Sequence, residues 1–261
     1  MTDFTAAINE AAAQTDMTKT QAGGGGGGYE PPAAGPCRLR MIGYIEKGKH
    51  HDERWDKTKD EVTLRFEVSG PKHPPREFNG VQEPTVINVN LNKSLHEKAA
   101  FAKLFKRMNY DGSKTHMAQL LGKPFLGTIT HNVVGEKTYA NLRDDGGFTI
   151  KPPFAEDFET GESRPVEVAP AISPLQCFLW GNPTQEMWDS IFIDGRWPDK
   201  TDDAGNVIKE GSSKNFHQER IKAAQNFPGS AIDNLLNAGG AVPVKEDTPP
   251  ARASGDPLEG V

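Results

Sequence analysis

The chain has 261 residues, and its 27 glycines, 20 prolines and 35% hydrophobic residues predict one core of about 115 residues with extended flanks. Residues 36–150 carry 19 Lys+Arg against 14 Asp+Glu, a net charge of +5, whereas the remainder carries 11 against 22, a net charge of −11. No apolar run approaches the ~18 residues that cross a bilayer, and no basic segment precedes an apolar one at the N-terminus, so we expect neither a membrane span nor a signal peptide. A basic domain between acidic flanks is typical of a protein that binds a polyanion.

Residues 1–35 are predicted to form a flexible arm. An alanine-rich start is followed by six consecutive glycines (23–28), which leave the backbone free and offer nothing to pack. A phosphate-binding loop is not indicated, because no strand precedes the glycines and no Gly-Lys-Ser/Thr sequence ends them.

Three segments with a period of two follow the arm and predict β-strands at residues 37–46, 62–69 and 85–91. Each has one apolar face and one mixed face. On the mixed face of the first strand lie Arg38, Arg40, Ile42 and Tyr44. A charged loop is predicted at 47–60 and a proline-rich loop before the third strand.

A helix and a hairpin complete the basic domain. Ser94 and Glu97 have the spacing of a capping box, and apolar residues continue at helical spacing to about residue 109. A short helical turn is predicted at 115–121, and a hairpin at 125–132 and 136–143. Three strands, a helix and two strands are the order of the five-stranded OB-fold barrel, so we expect a mainly β OB domain with one helix over residues 36–150. A generic α+β sandwich with the same element order is the alternative.

Three further regions are predicted beyond this domain. Residues 151–174 read as an acidic, proline-rich extended linker, 175–238 as an aromatic and helical region, and 239–261 as a disordered tail. A helix is expected from residue 213 to about 226. The aromatic region offers candidate contacts for a protein partner at Phe178, Trp180, Trp188 and Trp197.

Catalytic and metal-binding patterns are absent from the sequence. It contains no Gly-x-Ser-x-Gly, His-Glu-x-x-His or Cys-x-x-Cys sequence. His50-His51 lacks cysteine or spaced carboxylate partners, and turn chemistry explains Asp144-Asp145 before two glycines. Cys37 and Cys177 match no zinc spacing and fit free thiols in a reducing cytoplasm. We therefore predict no catalysis, no metal and no cofactor.

Single-stranded nucleic acid requires cations along its backbone and flat rings on which its bases stack. If one face of each strand fills the core, the opposite face and the adjoining loop supply both groups. The predicted DNA contacts are Arg38, Arg40, Tyr44, Lys47, Lys49, Trp55, Arg65, Asn88, Asn90, Lys137, Tyr139, Asn141 and Arg143. The alternative is that these are ordinary solvated strand faces, which also favour Arg, Lys and Tyr.

Four motifs carry a family resemblance: LLGKP at 120–124, TITHN at 128–132, EKTYANL at 136–142 and NLNKSLHEK at 90–98. The chain resembles the single-stranded-DNA-binding OB-fold proteins of tailed bacteriophages over residues 36–150 and 175–236. The resemblance implies a non-catalytic protein that coats DNA during phage replication or recombination, in the cytoplasm of the infected bacterium, with Lys137 and Tyr139 as ligand contacts.

The same resemblance implies a phage polymerase, helicase or recombinase as a further partner. Related proteins often end in a densely acidic tail with a terminal Phe, whereas this tail is only mildly acidic and ends in Leu-Glu-Gly-Val. Two other functions stay open from the sequence. One is a protein-interaction adaptor in which the barrel is a scaffold for the aromatic region, and the other is a nuclease.

Overall fold

The computed structural model describes residues 30–78, 80–135, 137–157, 159–202 and 205–238. The predicted tail (239–261) and residues 1–29 of the predicted arm, with its glycine tract, lie outside these residues. Cys37 and Cys177 are free thiols. A search of the described ranges finds no helix of the length and apolarity that a membrane span requires.

The described residues form a succession of strands interrupted by short helices. The helices are α1 (Ala100–Met108), a 3₁₀ helix (Met117–Leu120), α2 (Gln185–Ser190), α3 (Phe216–Lys222) and α4 (Ala231–Ala238). The strands are β1 (Gly35–Asp52), β2 (Lys57–Ser69), β3 (Arg76–Phe78), β4 (Val81–Glu83), β5 (Thr85–Asn92), β6 (Pro124–Val134), β7 (Lys137–Asn141), β8 (Arg143–Asp144), β9 (Gly147–Phe148), β10 (Phe154–Glu156), β11 (Ser163–Pro165), β12 (Gln176–Phe178), β13 (Lys200–Thr201) and β14 (Val207–Lys209).

The main sheet is built around β1. This strand pairs antiparallel with β2 and, through its first half, with β6, while β5 pairs with β2 and β7 with β6. The strand order is therefore β5-β2-β1-β6-β7. The edge strands β5 and β7 approach each other, but no ladder of backbone hydrogen bonds joins them in the described part of the chain. The prediction of a mainly β protein with some helix is confirmed.

β1 and β2 are longer than predicted because they continue as a two-stranded hairpin through the expected charged loop. In this extension Lys49 lies opposite Asp60, and Asp52 lies opposite Lys57. Opposite charges on directly paired residues attract each other across an antiparallel ladder. The charge pattern that suggested a loop therefore supports strand pairing.

The main core lies between the inner face of this sheet and α1. Phe66 on β2 and Phe125 on β6 meet edge to face, with 6.5 Å between ring centroids. Leu104 and Met108 on α1 are almost completely buried against these strands. The apolar alternation predicted for the strands is thus the set of side chains that fills the interior.

The predicted capping box at Ser94 does not form. Helix α1 begins only at Ala100, and its N-cap residue Ala99 makes no side-chain bond. Residues 93–98 instead continue from β5 in an irregular path, because the Lys93 amide bonds to the Asp60 carbonyl and its ammonium group to Glu46. A capping box is found at the 3₁₀ helix, between His116 and Gln119.

The C-terminal region packs on the sheet through a second core. Strand β12 pairs in parallel with residues Gly43–Ile45 of β1. The buried members of this core are Ile45, Phe178, Trp188, Ile191, Ile221 and Ile232. Helix α3 falls within the helix predicted at 213–226 but is shorter.

The segment predicted as an extended linker also lies against the sheet. Lys151 and Leu126 exchange two backbone hydrogen bonds, β10 and β11 form a hairpin, and Val168 is buried. Residues 151–174 therefore lie against the main sheet instead of standing clear of it.

Candidate nucleic-acid interface

A β-bulge in β1 decides which of its side chains face outward. The register between β1 and β2 shifts between Met41 and Gly43, so side chains beyond this point change sides. We call the side away from the main core the outer face. It carries Arg38, Arg40, Gly43 and Ile45 on β1, and Thr63, Arg65 and Glu67 on β2.

Tyr44 is consequently on the inner side, and its predicted role as an exposed stacking ring is wrong. Its side chain is fully buried, and its hydroxyl donates a 2.8 Å hydrogen bond to Glu46. Burial, together with the negative charge of Glu46, raises the pKa of Tyr44. Simple alternation assigned this ring to the outer face because it does not include the extra residue of the bulge.

The centre of the outer face is covered by residues 166–178, which we call the covering segment. Arg40 donates to the carbonyl oxygens of Ala169 (2.7 Å), Val168 (2.5 Å) and Gly122 (2.7 Å). The Arg40 side chain, predicted as a DNA contact, therefore has its donors directed at the protein's own backbone.

Glu67 holds the same segment from the neighbouring strand. It is buried, and its two carboxylate oxygens each accept a 2.8 Å hydrogen bond, from the amides of Ile172 and Ser173. Charge-assisted bonds of this kind are about twice as strong as neutral ones. Arg40 and Glu67, which lie opposite each other in the ladder, thus fix the covering segment in place.

Arg65 is directed at the covering segment in the same way. Its side chain lies across Gly43, where a Cβ atom would be only 2.8 Å from the Cβ of Arg65. It donates to the side chains of Gln176 and Asn88, and burial lowers its pKa. A side chain at position 43 would block this path, so the glycine permits the bond between the sheet and β12.

The predicted partner contacts divide between the second core and the surface. Phe178 and Trp188 are buried in the second core, so a partner cannot contact their rings. Trp180 is half-buried over Gly48, where the positive φ of +80° and the indole ring both require glycine. Trp197 is exposed, with the ammonium group of Lys214 4.8 Å from its ring.

The second core is too large to be opened by ordinary ligand binding. Burying each large apolar side chain contributes roughly 1.5–3 kcal/mol. Its six buried members (above) therefore contribute roughly 9–18 kcal/mol. The lower end of this range is already the whole binding free energy of a ligand with a Kd of about 0.3 μM. The covered centre of the outer face is accordingly part of the fold and not an open site.

A cleft of about 410 Å³ remains beside the covered area, next to β5. Asn90 and Lys47, both predicted contacts, line it, and Asn88 is exposed on the same strand as Asn90. Its charges are matched within the protein: Lys59 pairs with Asp52, and Arg220 pairs with Glu61. Burial lowers the pKa of Lys47.

The pKa of Glu61 reflects the same pairing. Burial alone would raise it, but the hydrogen bond and charge of Arg220 outweigh that effect and lower it. The carboxylates thus stay ionised beside the lysines. This cleft offers amide groups but little net positive charge.

The tip of the β1–β2 hairpin is exposed but electrically balanced. Trp55 is 60% exposed, with the Arg54 guanidinium 5.3 Å from its ring. Residues 49–60 contain four Lys or Arg and four Asp or Glu. Lys49 is exposed here, and His51 lies 3.5 Å from Asp56. The tip provides a stacking surface without a surplus of cations.

The β6–β7 hairpin combines an exposed ring with two exposed cations. Lys137, Tyr139 and Asn141 alternate along β7 on the side opposite to Leu142, which is buried in the main core. Tyr139 is 43% exposed. Within the described residues, neither Lys137 nor Arg143 makes an ion pair, and Arg143 lies over the ring of Phe148.

The positions of His50 and His51 do not indicate a metal site. His50 is buried with its Nε2 atom 3.0 Å from the Lys47 carbonyl oxygen, whereas His51 faces Asp56. In the part of the chain that the structure describes, no three His, Cys, Asp or Glu side chains are grouped as metal ligands would be.

One cation beside β6, Lys151, is not among the predicted DNA contacts. It belongs to the predicted linker, but in the structure it is the cross-strand neighbour of Leu126 on β6. Its place in the sequence could have indicated this, because it directly follows Ile150, which is buried in the main core.

No protein-family model matches this sequence, and searches of curated proteins and of solved structures find no similar chain.

Proposed function

We propose that this chain is a non-catalytic, sequence-tolerant single-stranded-DNA-binding protein. The observation that carries the proposal is the outer side of the β6–β7 hairpin, where the exposed Tyr139 ring lies between Lys137 and Asn141 and is followed by Arg143. A ring that stacks on a base contributes roughly 1–3 kcal/mol and accepts every base, because every base has a π-face. Cations without carboxylate partners are available to phosphates.

The strand arrangement supports an OB-fold for the main sheet. The order β5-β2-β1-β6-β7, with α1 between β5 and β6, is the order in which an OB barrel joins its five strands. The approach of β5 to β7 is where such a barrel would close. OB-folds bind oligonucleotides on their strands and on the hairpins after the first and fourth strands, which are the β1–β2 and β6–β7 hairpins of this chain.

A role in phage DNA replication or recombination is the second part of the proposal. It is supported by the motifs at 120–124, 128–132 and 136–142, which resemble those of phage single-stranded-DNA-binding proteins. The last of these motifs includes Lys137 and Tyr139, the residues that the hairpin exposes.

A fluorescence titration with a dT oligonucleotide at two salt concentrations tests the binding. We expect tight binding at low salt and weaker binding at high salt, because phosphate contacts release counterions. Exchange of Lys137 and Arg143 for Ala should weaken binding to all sequences alike. An absence of binding at low salt, or binding that salt leaves unchanged, would contradict the proposal.

Incubation of labelled DNA with the protein and Mg²⁺ or Mn²⁺ tests the non-catalytic part. We expect the DNA to stay intact. Metal-dependent shortening of the DNA would support a nuclease instead.

An adaptor function is the second candidate, because three large rings are exposed on the C-terminal region. These are Phe192 (53%), Phe216 (43%) and Trp197 (58%). The two functions differ in what the β6–β7 hairpin does. If wild-type protein bound no single-stranded DNA at low salt, the adaptor would become the better proposal.

A further inference from the structure

A pocket of about 280 Å³ opens at the start of β1, where β1, β6 and the residues after β2 meet. Two cations, Arg38 and Lys151, line it together with Thr128 and the apolar side chains of Leu126 and Val166. None of its lining residues is acidic. It lies outside the part of the outer face that Arg40 and Glu67 close.

The register of the strands directs both cations into this pocket. Arg38 is the direct partner of Leu126, and Leu126 is in turn the direct partner of Lys151. Directly paired residues project from the same face, with their Cβ atoms about 5 Å apart. Arg38 and Lys151 therefore extend from positions about 10 Å apart on either side of Leu126. Side chains of this length can reach one small anion placed above Leu126.

The cations at the pocket have no competing partners in the described chain. Neither Arg38 nor Lys151 makes a side-chain hydrogen bond or ion pair there, in contrast to Arg40. A third cation, Lys72, follows the lining residue Pro71, and its Nζ atom lies 3.7 Å from where a Cβ on Gly35 would be.

The lining of the pocket includes three apolar side chains, those of Pro36, Pro71 and Leu126. Proline rings and a leucine side chain suit the non-polar face of a sugar or base, whereas a free inorganic anion gains nothing from them. The combination of apolar lining residues with two cations fits a nucleotide unit whose phosphate lies between Arg38 and Lys151.

We propose that this pocket binds a phosphate group of the single strand, next to the β6–β7 hairpin that stacks its bases. The inference rests on the proposed function and adds Lys151, Thr128 and Lys72 to its site. Arg38 positions the strand from β1, and Lys151 does so from the segment that follows the main core. The phosphate is either an internal phosphodiester or a 5′-terminal phosphate.

The salt dependence of binding tests this inference. For single strands the slope of log K against log salt is about −0.7 per phosphate contact, so the Arg38→Ala/Lys151→Ala variant, which loses the one phosphate held between these cations, should reduce its magnitude by roughly 0.7. The matched control is Lys103→Ala/Lys106→Ala, which removes the same charge from exposed positions on α1 and should leave the slope unchanged. Thermal unfolding shows whether the double variant is folded. If it is not, Lys151→Ala alone, which alters one exposed side chain, takes its place in the test.

Two dT oligonucleotides, one with a 5′-phosphate and one with a 5′-hydroxyl, identify the source of the phosphate. A reduced slope with both supports an internal phosphodiester, and a reduced slope only with the phosphorylated strand supports a terminal phosphate. Pocket variants whose slopes equal those of the α1 control, while wild type binds, would overturn the pocket alone. Wild-type protein that binds neither strand would overturn the pocket and the proposed function together.

Discussion

Arg38 and Arg40 are two residues apart on the outer face of β1, yet their surroundings are opposite. Arg40 donates three hydrogen bonds to backbone carbonyls, two of them on the covering segment, whereas Arg38 lines an open pocket without a protein partner in the described chain. The same contrast holds between Arg65, bonded to Gln176, and Arg143, which is exposed. A basic strand face therefore combines cations that hold the fold together with cations that are available to a ligand.

The largest expected effect is on stability, at the covered centre. Glu67→Ala removes both acceptors of the Ile172 and Ser173 amides, and we expect it to lower the free energy of unfolding by about 3 kcal/mol. Chemical denaturation measures this loss. Glu83→Ala, at an exposed position on β4, is the control and should change stability little. Equal effects of the two substitutions would mean that Glu67 does not hold the covering segment.

The next effect is on DNA affinity, at the open hairpin. Tyr139→Ala removes the exposed ring and should weaken binding of a dT oligonucleotide by about five- to a hundredfold, the equivalent of one lost stack. Tyr110→Ala removes a ring of similar exposure that packs against Phe154, and it should bind normally. If both variants bound DNA equally well, Tyr139 would not be a stacking residue.

A smaller effect concerns the pH dependence of the free energy of unfolding, to which the buried His217 contributes. Both ring nitrogens of His217 are buried without a hydrogen-bond partner among the residues that the structure describes, and burial, with the nearby charges of Lys47 and Arg65, lowers its pKa to about 3. In the unfolded chain the His217 ring takes up a proton near pH 6.5, whereas in the folded state it stays neutral down to about pH 3. The contribution of the neutral ring to the free energy of unfolding is therefore complete above about pH 6.5 and is lost as the pH falls towards 3. Between pH 7 and 5.5 we expect a loss of about 1 kcal/mol.

Urea unfolding of His217→Met and of wild type at the two pH values measures this contribution. The variant should lose about 1 kcal/mol less than wild type over this interval. An exchange at the exposed His96 should leave the wild-type pH dependence unchanged. Identical pH dependence of wild type and His217→Met would show that folding does not lower the pKa of His217.

At Arg65, a cation that the covering segment holds, we expect no effect on the salt dependence of DNA binding. Arg65→Gln should leave the salt dependence of DNA binding unchanged, because the Arg65 guanidinium already bonds to Gln176 and Asn88. A reduced salt slope, equal to that of an Arg38 variant, would place DNA on the covered face and remove the distinction between the two kinds of cation.

Local sequence signals predicted the strands of the main sheet and the β6–β7 hairpin. Their inner residues, such as Leu64 and Phe66, alternate strictly, and burial of one face imposes that alternation. The position of Tyr44 was not predictable in this way, because a single bulge exchanges the two faces for every residue after it.

The covering of the outer face depends on contacts between residues more than a hundred positions apart. Arg40 with Val168 and Glu67 with Ile172 are examples, and neither partner has a local signal. A clue was present in Ile42, an apolar residue on the face assigned to a ligand, and its side chain is almost fully buried. An apolar residue on a supposedly solvated face indicates that another part of the chain covers it.

Amide hydrogen exchange with and without a dT oligonucleotide tests the central claim most directly, namely that the strand binds at the open end of the sheet. We predict slower exchange at residues 37–38 and 126–141 on binding, and unchanged exchange at Ile172 and Ser173, whose amides Glu67 holds. Faster exchange at these two amides, together with protection of the outer positions of β2, would show that DNA displaces the covering segment and would contradict the account.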